Sequence, residues 1–234
     1  MIFAAGLGTR FKPWTDAHPK ALALVNGKSL LQRNIEYLAK YGIKNLVVNV
    51  HHFSDQIIKA VDLHKGWGSQ IQISDESDQV LETGGGLKKA SPLLSGDLIV
   101  IINADILTDL DLDAMIQLHQ STNALSTLAV TNRKTSRYFL FNNEGILSGW
   151  RNTQTGEQII SRPADHYHEK AFSGVHVISR ELLNHLTKEG KFGIVDVYLE
   201  LSKTHIIQSF DHSGNKFIDV GKPDAVAKAE ALFV

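Results

Sequence analysis

The sequence predicts an α/β fold, a largely parallel sheet with helices on both faces. Short β-branched runs recur, as at 45–50 and 98–105. Segments with apolar residues at helical spacing lie between them. No linker interrupts the series, so the 234 residues read as one domain. Strands that alternate with helices build a parallel sheet covered on two sides.

The first twenty residues organise the rest. Ile2 to Ala5 suit a short buried strand, and Gly6 and Gly8 follow at once. Glycine permits positive φ and close approach of a ligand to the main chain. Amides left unpaired in such a turn form an anion-binding nest. Arg10 adds a forked cation and Lys20 a point charge, on a loop stiffened by Pro13 and Pro19. Together they read as a polyphosphate site; a glycine turn with solvated charges is the plainer alternative. Two other phosphate motifs fail. Phe11 stands where a dinucleotide fingerprint needs its third glycine, and Leu22 where the P-loop before Gly27-Lys28-Ser29 needs its first.

Ser29 opens a helix as N-cap of a capping box with Gln32. Leu30, Leu31, Ile35, Leu38 and Ala39 form its apolar stripe and Gly42 its stop. A strand over 45–50, a helix over 54–64 and an alternating strand over 69–74 follow. Three consecutive glycines, Gly84 to Gly86, are costly to order. They suit a loop where a flat ligand lies on backbone at a helix start, a flexible turn being the alternative. The run 98–105 is the strongest buried strand and ends in Asn103 and Asp105. Ligands in open α/β sheets sit at such carboxyl ends, and Mg²⁺ needs only one or two carboxylates besides phosphate oxygens. Asp109, Asp111 and Asp113 read as turn and helix-start residues. A helix over 112–119 and a strand over 124–130 come next. A hairpin, 138–142 with 146–151, turns on Asn143-Glu144-Gly145 and breaks the rhythm. The polar, aperiodic segment 152–165 reads as a mobile loop. Strands at 172–178 and from Phe217, then a helix over 223–233 opened by Pro223, complete the chain.

Charge is balanced, 24 basic against 25 acidic residues, which argues against a nucleic-acid or membrane-surface footprint. There is no cysteine, hence no disulfide framework or thiol nucleophile. No apolar run has the roughly 20 residues of a membrane span, and the N-terminus does not read as a signal peptide. The expected location is cytoplasmic. His166 and His168 lack a third ligand in phase and are not read as a metal site. His51-His52 reads as loop or core.

Gly6-Leu-Gly8-Thr9-Arg10-Phe-Lys-Pro13-Trp-Thr15, then Pro19-Lys20, resembles the signature of the sugar-1-phosphate nucleotidyltransferases, the NDP-sugar pyrophosphorylases. Leu81-Glu-Thr-Gly-Gly-Gly86 and the continuation to Thr108-Asp109 are most similar to N-acetylmuramate-1-phosphate uridylyltransferases and mannose-1-phosphate guanylyltransferase-like proteins. Phe172-Ser-Gly-Val175 and Phe217-Ile-Asp219-Val-Gly221-Lys-Pro223 extend the resemblance along the whole chain. It implies a Rossmann-like three-layer sandwich with a mixed, mainly parallel sheet of the GT-A-like type. Residues 1–110 would form the nucleotide-binding half and 111–234 the sugar-binding half. Family members usually carry a slightly longer lead-in before the first strand.

By resemblance, an NTP and a sugar 1-phosphate give an NDP-sugar and pyrophosphate. Arg10 and Lys20 would be catalytic. Ala5, Gly6, Gly8, Thr9, Arg10, Thr83 and the amides of Gly84 and Gly85 would hold the nucleotide, with Glu76 or Ser77 adding a side-chain contact to the base. Asn103, Glu169, Ser173 and Gly174 would face the sugar, with Lys170 beside Glu169; Trp150 and Arg151 would reach the sugar, an ordinary packed tryptophan being the alternative. Asp105 and Asp219 would ligate Mg²⁺. UTP with N-acetylmuramate 1-phosphate is the expected pair. GTP with mannose 1-phosphate, CTP with phosphocholine and a non-catalytic nucleotide-sugar sensor stay open, and Phe11 counts against an oxidoreductase.

Overall fold

The computed structural model describes residues 1–234. The buried start of the chain forms β1 (Ile2–Phe3), and single 3₁₀ turns carry Arg10 and Lys20. β2 (Leu24–Val25) and β3 (Lys28–Ser29) make a small hairpin. Ser29 Oγ accepts the Gln32 amide at 3.1 Å and starts α1 (Leu30–Lys40). Only half of the capping box forms, because Gln32 Nε2 donates to Glu36 one turn on. Gly42, at φ +75°, ends the helix: its amide bonds Ala39 O while that of Ile43 bonds Leu38 O. This is the paired bonding of a glycine-terminated helix.

β4 (Asn45–Val50), α2 (Ser54–Leu63) and β5 (Gln70–Asp75) follow as the periodicity predicts. α3 (Glu82–Ala90) then contains the whole glycine triplet, so these residues are helix and not loop. β6 (Leu98–Asn103) is followed at once by β7 (Ile106–Thr108), whose pattern is too short to have been read. Asp111 Oδ1 accepts the Ala114 amide and caps α4 (Leu112–Ser121). After β8 (Ser126–Thr131), β9 (Arg137–Phe141) and β10 (Leu147–Asn152) form the expected hairpin. Asn142 Oδ1 fixes its turn by accepting the amides of Glu144 and Ile146.

The segment expected to be a loop over 152–165 holds a further strand, β11 (Gln158–Ile160), paired with β10. The polar residues around Ile159 and Ile160 hide it, but a Cβ on Gly149 would lie 2.4 Å from Ile159 O, so glycine there permits the close pairing. β12 (His168–Ser179) is long, and α5 (Ile194–Leu201), β13 (Ile207–Asp211), β14 (Phe217–Asp219) and α6 (Asp224–Leu232) complete the chain. α6 begins one residue beyond Pro223, which serves as its cap.

The central sheet runs β5-β4-β1-β6-β12-β8-β13, and only β12 is reversed. The far end of β12 also pairs with β9, and β10 and β11 extend that wing. Side chains alternate across the sheet. On β6, Ile99 and Ile101 face a core that includes Leu87 of α3 and Tyr198 of α5. Val100 and Ile102 face another, with Leu31 of α1, Ile57 of α2 and Met115 of α4. A third, smaller core joins Phe11, Val25, Leu107, Val220 and Ala229. The first loop and the last strand thus rest on one apolar floor. No helix is long and apolar enough to cross a membrane.

His176 of β12 is buried among aromatic rings and hydrogen-bonded to Tyr198 Oη. Burial, helped by the nearby amino terminus, lowers its pKa to about 3. The unfolded chain, with an ordinary histidine pKa near 6.5, therefore binds the extra proton first as pH falls. The stability contributed by neutral His176 is full above about pH 6.5 and is lost progressively towards pH 3. Urea unfolding at pH 7 and pH 5 should differ by about 2 kcal/mol from this residue. That part of the difference should vanish in His176→Gln.

Candidate active site

The site begins with a turn that leaves donors unused. Gly8 adopts φ +60°, where a Cβ would meet Thr15 Cγ2 at 2.8 Å. Its carbonyl accepts the Phe11 amide at 2.7 Å and Thr15 Oγ1 at 2.9 Å, which folds the loop back on itself. The amides of Gly6, Leu7 and Gly8 find no protein acceptor. Gly6, Leu7, Thr9 and Arg10 are exposed, while Ala5 is buried. Such amides beside a guanidinium form an anion cradle.

The carboxylates arrive from the two ends of the sequence. Asp105 follows β6, and its Oδ2 pairs with Lys20 Nζ; these side chains are 17% and 16% exposed. β14 runs antiparallel to β7, with Asp219 opposite Ile106. The Val220 amide donates to Asp105 O at 2.8 Å. This ladder holds Asp219 beside Asp105. Burial and then the Asp105 charge push the Asp219 carboxyl above its usual range, against Lys20, Arg10 and Arg133. A Cβ on Gly221 would lie 2.7 Å from Asp219 Oδ1 and 3.1 Å from Arg10 Nη2. Glycine there lets Arg10 come close to Asp219. A cleft of about 180 Å³ opens at this end of β6, lined by Gly6, Lys20, Thr83, Asn103 and Asp105 among others. Two hard carboxylates, one of them with its pKa raised by burial and then by the other's charge, beside an anion cradle, fit a divalent cation such as Mg²⁺.

The glycine triplet does different work from that expected. The amides of Gly84 and Gly85 both donate to Phe192 O, at 2.9 and 3.2 Å, so they are not offered to a base. A Cβ on Gly84 would lie 2.4 Å from the Phe192 ring, and one on Gly85 2.3 Å from Gly190 O. Gly84 and Gly85 let the segment 190–193 lie against α3, while a Cβ on Gly86 would lie 2.7 Å from Glu76 Oε1 and 2.9 Å from Asn49 Nδ2. Thr83 reaches the cleft, with its Oγ1 accepting the Ile194 amide at 3.0 Å.

Glu76 is likewise corrected. It is fully buried, and its Oε1 accepts Asn49 Nδ2 at 2.8 Å. Asn49 Oδ1 in turn accepts the Ala4 amide at 2.8 Å. Burial raises the Glu76 pKa. This chain of bonds fixes the backbone that enters the glycine turn, so Glu76 positions rather than recognises. The unread member is Asn49, and its signal was a polar residue inside a β-branched run. Ser77, exposed, bonds Asp75 and Ser54.

On the other side of the cleft, Gly174 at φ +75° lies under Asn103: a Cβ would be 2.7 Å from Asn103 Nδ2. The structure thus brings these two together. It does not bring the others. Ser173 is buried, its Oγ bonded to His212 Nε2 at 2.7 Å within the protein. Glu169 pairs with Arg151 at 2.6 Å, and Lys170 with Asp211 at 2.5 Å and Asn132 at 2.6 Å. None of these lines the cleft. Trp150 packs on the core, and His168 bonds Asn143. Arg133 stands in no local motif that would mark it in the sequence. Its guanidinium lies 5.5 Å from the Phe217 ring centre, and its charge acts on Asp219.

Unpaired backbone amides, two cations and two carboxylates thus gather at the carboxyl end of the mixed sheet of an α/β protein. The chain belongs to the Nucleotidyl transferase family, whose model matches residues 1–233. It is 44% identical over 108 residues to an N-acetylmuramate alpha-1-phosphate uridylyltransferase of Caulobacter vibrioides, covering 45% of this chain and 44% of that one. A protein of the same name from Neisseria meningitidis serogroup B is 39% identical over 117 residues, covering 50% and 51%. The chain thus spans about half the length of these curated relatives. A mannose-1-phosphate guanyltransferase of Yarrowia lipolytica is 23% identical across 100% of this chain and 63% of that one. A putative glucose-1-phosphate thymidylyltransferase from Bacillus anthracis superposes with a TM-score of 0.82 at 14% identity, covering 99% and 93%. HddC from Yersinia pseudotuberculosis, complexed with GMP-PN, gives 0.76 at 23%, covering 100% and 98%. These likenesses to solved structures establish the GT-A-like fold.

Gly84→Ala forces the Phe192 ring to move and should lower stability by about 1–3 kcal/mol. Urea unfolding measures this loss.

Proposed function

We propose that this protein transfers a nucleotidyl group from an NTP to a sugar 1-phosphate, releasing pyrophosphate. The observation that carries this reading is the Lys20–Asp105 pair beside Asp219, at the mouth of a cleft that also receives the open glycine turn. In this reading an oxygen of the sugar phosphate attacks the α-phosphorus. The bond from that phosphorus to the bridging oxygen of the β-phosphate breaks, and pyrophosphate leaves with the electron pair. The nucleophile is already an anion, so no general base is required. The protein positions both reactants and neutralises charge.

The amides of Gly6 and Gly8, with Ala5 and Thr9 beside them, cradle the triphosphate. Arg10 stabilises charge moving to the β- and γ-phosphates. Lys20 holds the attacking phosphate and the α-phosphate. Asp105 and Asp219 are the proposed Mg²⁺ ligands; when bound, the ion supplies further neutralisation of phosphate charge. Asn103 over Gly174 forms the floor for the sugar, and Thr83 borders the nucleoside. Residues 1–110 act on the nucleotide and 111–234 on the sugar. UTP with N-acetylmuramate 1-phosphate is the favoured pair, because the two relatives matched at 44% and 39% identity carry that activity in their names. GTP with mannose 1-phosphate comes next, on the match that spans the full chain.

Pyrophosphate release should be measured with Mg²⁺ across UTP, GTP, CTP and dTTP. Each is paired with the 1-phosphates of N-acetylmuramate, mannose, glucose and N-acetylglucosamine, and with phosphocholine. Turnover with UTP and the muramate is the expected result. Turnover with another pair reassigns the substrate, and nucleotide binding without turnover moves the protein to a sensor. With the active pair, Arg10→Ala and Asp219→Ala should each lower kcat about 10²–10³-fold, the scale of losing one charge-stabilising group. Their melting temperatures should stay near that of the parent. A variant with parental kcat removes that residue from the mechanism.

A further inference from the structure

A second cluster of ligand-bearing side chains stands apart from the phosphate site. Glu181 and His185 lie on the 3₁₀ segment Arg180–His185 that follows β12, and His205 lies in the turn between α5 and β13. One ligand atom from each falls within 4.8 Å of the other two. His185 Nε2 is 3.8 Å from Glu181 Oε1. The rings of His185 and His205 meet edge-on, with centres 4.8 Å apart.

His205 is held in place before any ligand arrives. Its amide donates to Leu201 O at 2.8 Å, and its carbonyl accepts Arg162 Nη2 at 3.1 Å. Its Nδ1 bonds Thr204 Oγ1 at 2.9 Å, which leaves Nε2 as the free ring nitrogen. A hydrogen bond to the second ring nitrogen fixes the tautomer and aims the first, as in metal-bound histidines. A cleft of about 390 Å³ opens beside Glu181 and His205, with room for water in a remaining coordination position. Leu98, the first residue of β6, also borders it. Asp105 lies past the other end of that strand, which itself spans roughly 17 Å at the usual rise per residue. The two sites therefore share no residue.

Two imidazoles and one carboxylate, with a position open to water, form a donor set for Zn²⁺ and not for Mg²⁺, which prefers oxygen alone. We propose that Glu181, His185 and His205 bind one Zn²⁺ ion. The ion ties the segment after β12 to the turn before β13 and stabilises the native chain by mass action. Neither substrate takes part.

The test is a Zn²⁺ titration of the full chain, by calorimetry and by competition with a chromophoric chelator, with saturating Mg²⁺ present. Co²⁺ absorption in the visible then reports coordination geometry. One equivalent of Zn²⁺ should bind, raise the melting temperature, and be replaced by Co²⁺ with a tetrahedral spectrum. His185→Ala and His205→Ala should each weaken binding by roughly tenfold or more and abolish the thermal shift. His51→Ala should leave both unchanged. If His205→Ala lowers the metal-free melting temperature, His185→Gln is the deciding variant. Parental affinity in the His185 variants, or no binding by about 100 μM Zn²⁺, overturns the assignment. Loss of turnover in the pyrophosphate assay has no bearing on it, because the metal titration stands alone.

Discussion

Two carboxylates are held side by side against their own repulsion, and much of the surrounding structure exists to hold them there. Asp105 sits past the end of β6 and Asp219 at the end of β14. The β7–β14 ladder and the bond from the Val220 amide to Asp105 O leave neither free to retreat. Lys20 pairs directly with Asp105, and Arg10 and Arg133 lower the cost at Asp219 without cancelling it. A site left with an unfavourable concentration of negative charge attracts cations.

The backbone around this pair is chosen for closeness more than for flexibility. Gly8 lets the loop fold against Thr15, Gly174 lets Asn103 lie across β12, and Gly221 lets Arg10 come near Asp219. A side chain at any of these would push apart groups whose separation sets the electrostatics. The buried Asn49–Glu76 pair contributes in the same way, by pinning the Ala4 amide and hence the entry to the glycine turn.

Much of this was legible in the sequence where a local pattern has one physical meaning. The run over 98–103 can only be a buried strand, so Asp105 had to lie at a carboxyl end. Gly6 and Gly8 between a strand and two cations had to form an exposed turn. What stayed hidden depends on partners distant in the chain. Gly84 and Gly85 read as ligand-facing until Phe192 is seen against them, more than a hundred residues on. Glu76 read as a base contact because nothing local shows that Asn49 claims it. Ser173 falls on a strand expected over 172–178, yet nothing local shows its bond to His212. β11 escaped because its two isoleucines are too short a run within a polar segment, and it is the pairing with β10 that makes them a strand.

The small core of Phe11, Leu107 and Val220 joins the first loop to the last strand. This has a consequence for synthesis. Chains emerge amino-terminus first, and early segments begin to fold before later ones exist. β1, β4, β5 and β6 can align as soon as residue 103 is exposed, with the glycine turn and Lys20 already in place. Asp219 and the apolar surface of Val220 come more than a hundred residues later. Until then Phe11 and Leu107 lack one wall of their pocket. A nascent chain therefore holds Lys20 and Asp105 together before Asp219 exists, and the second carboxylate joins them only once β14 has been made.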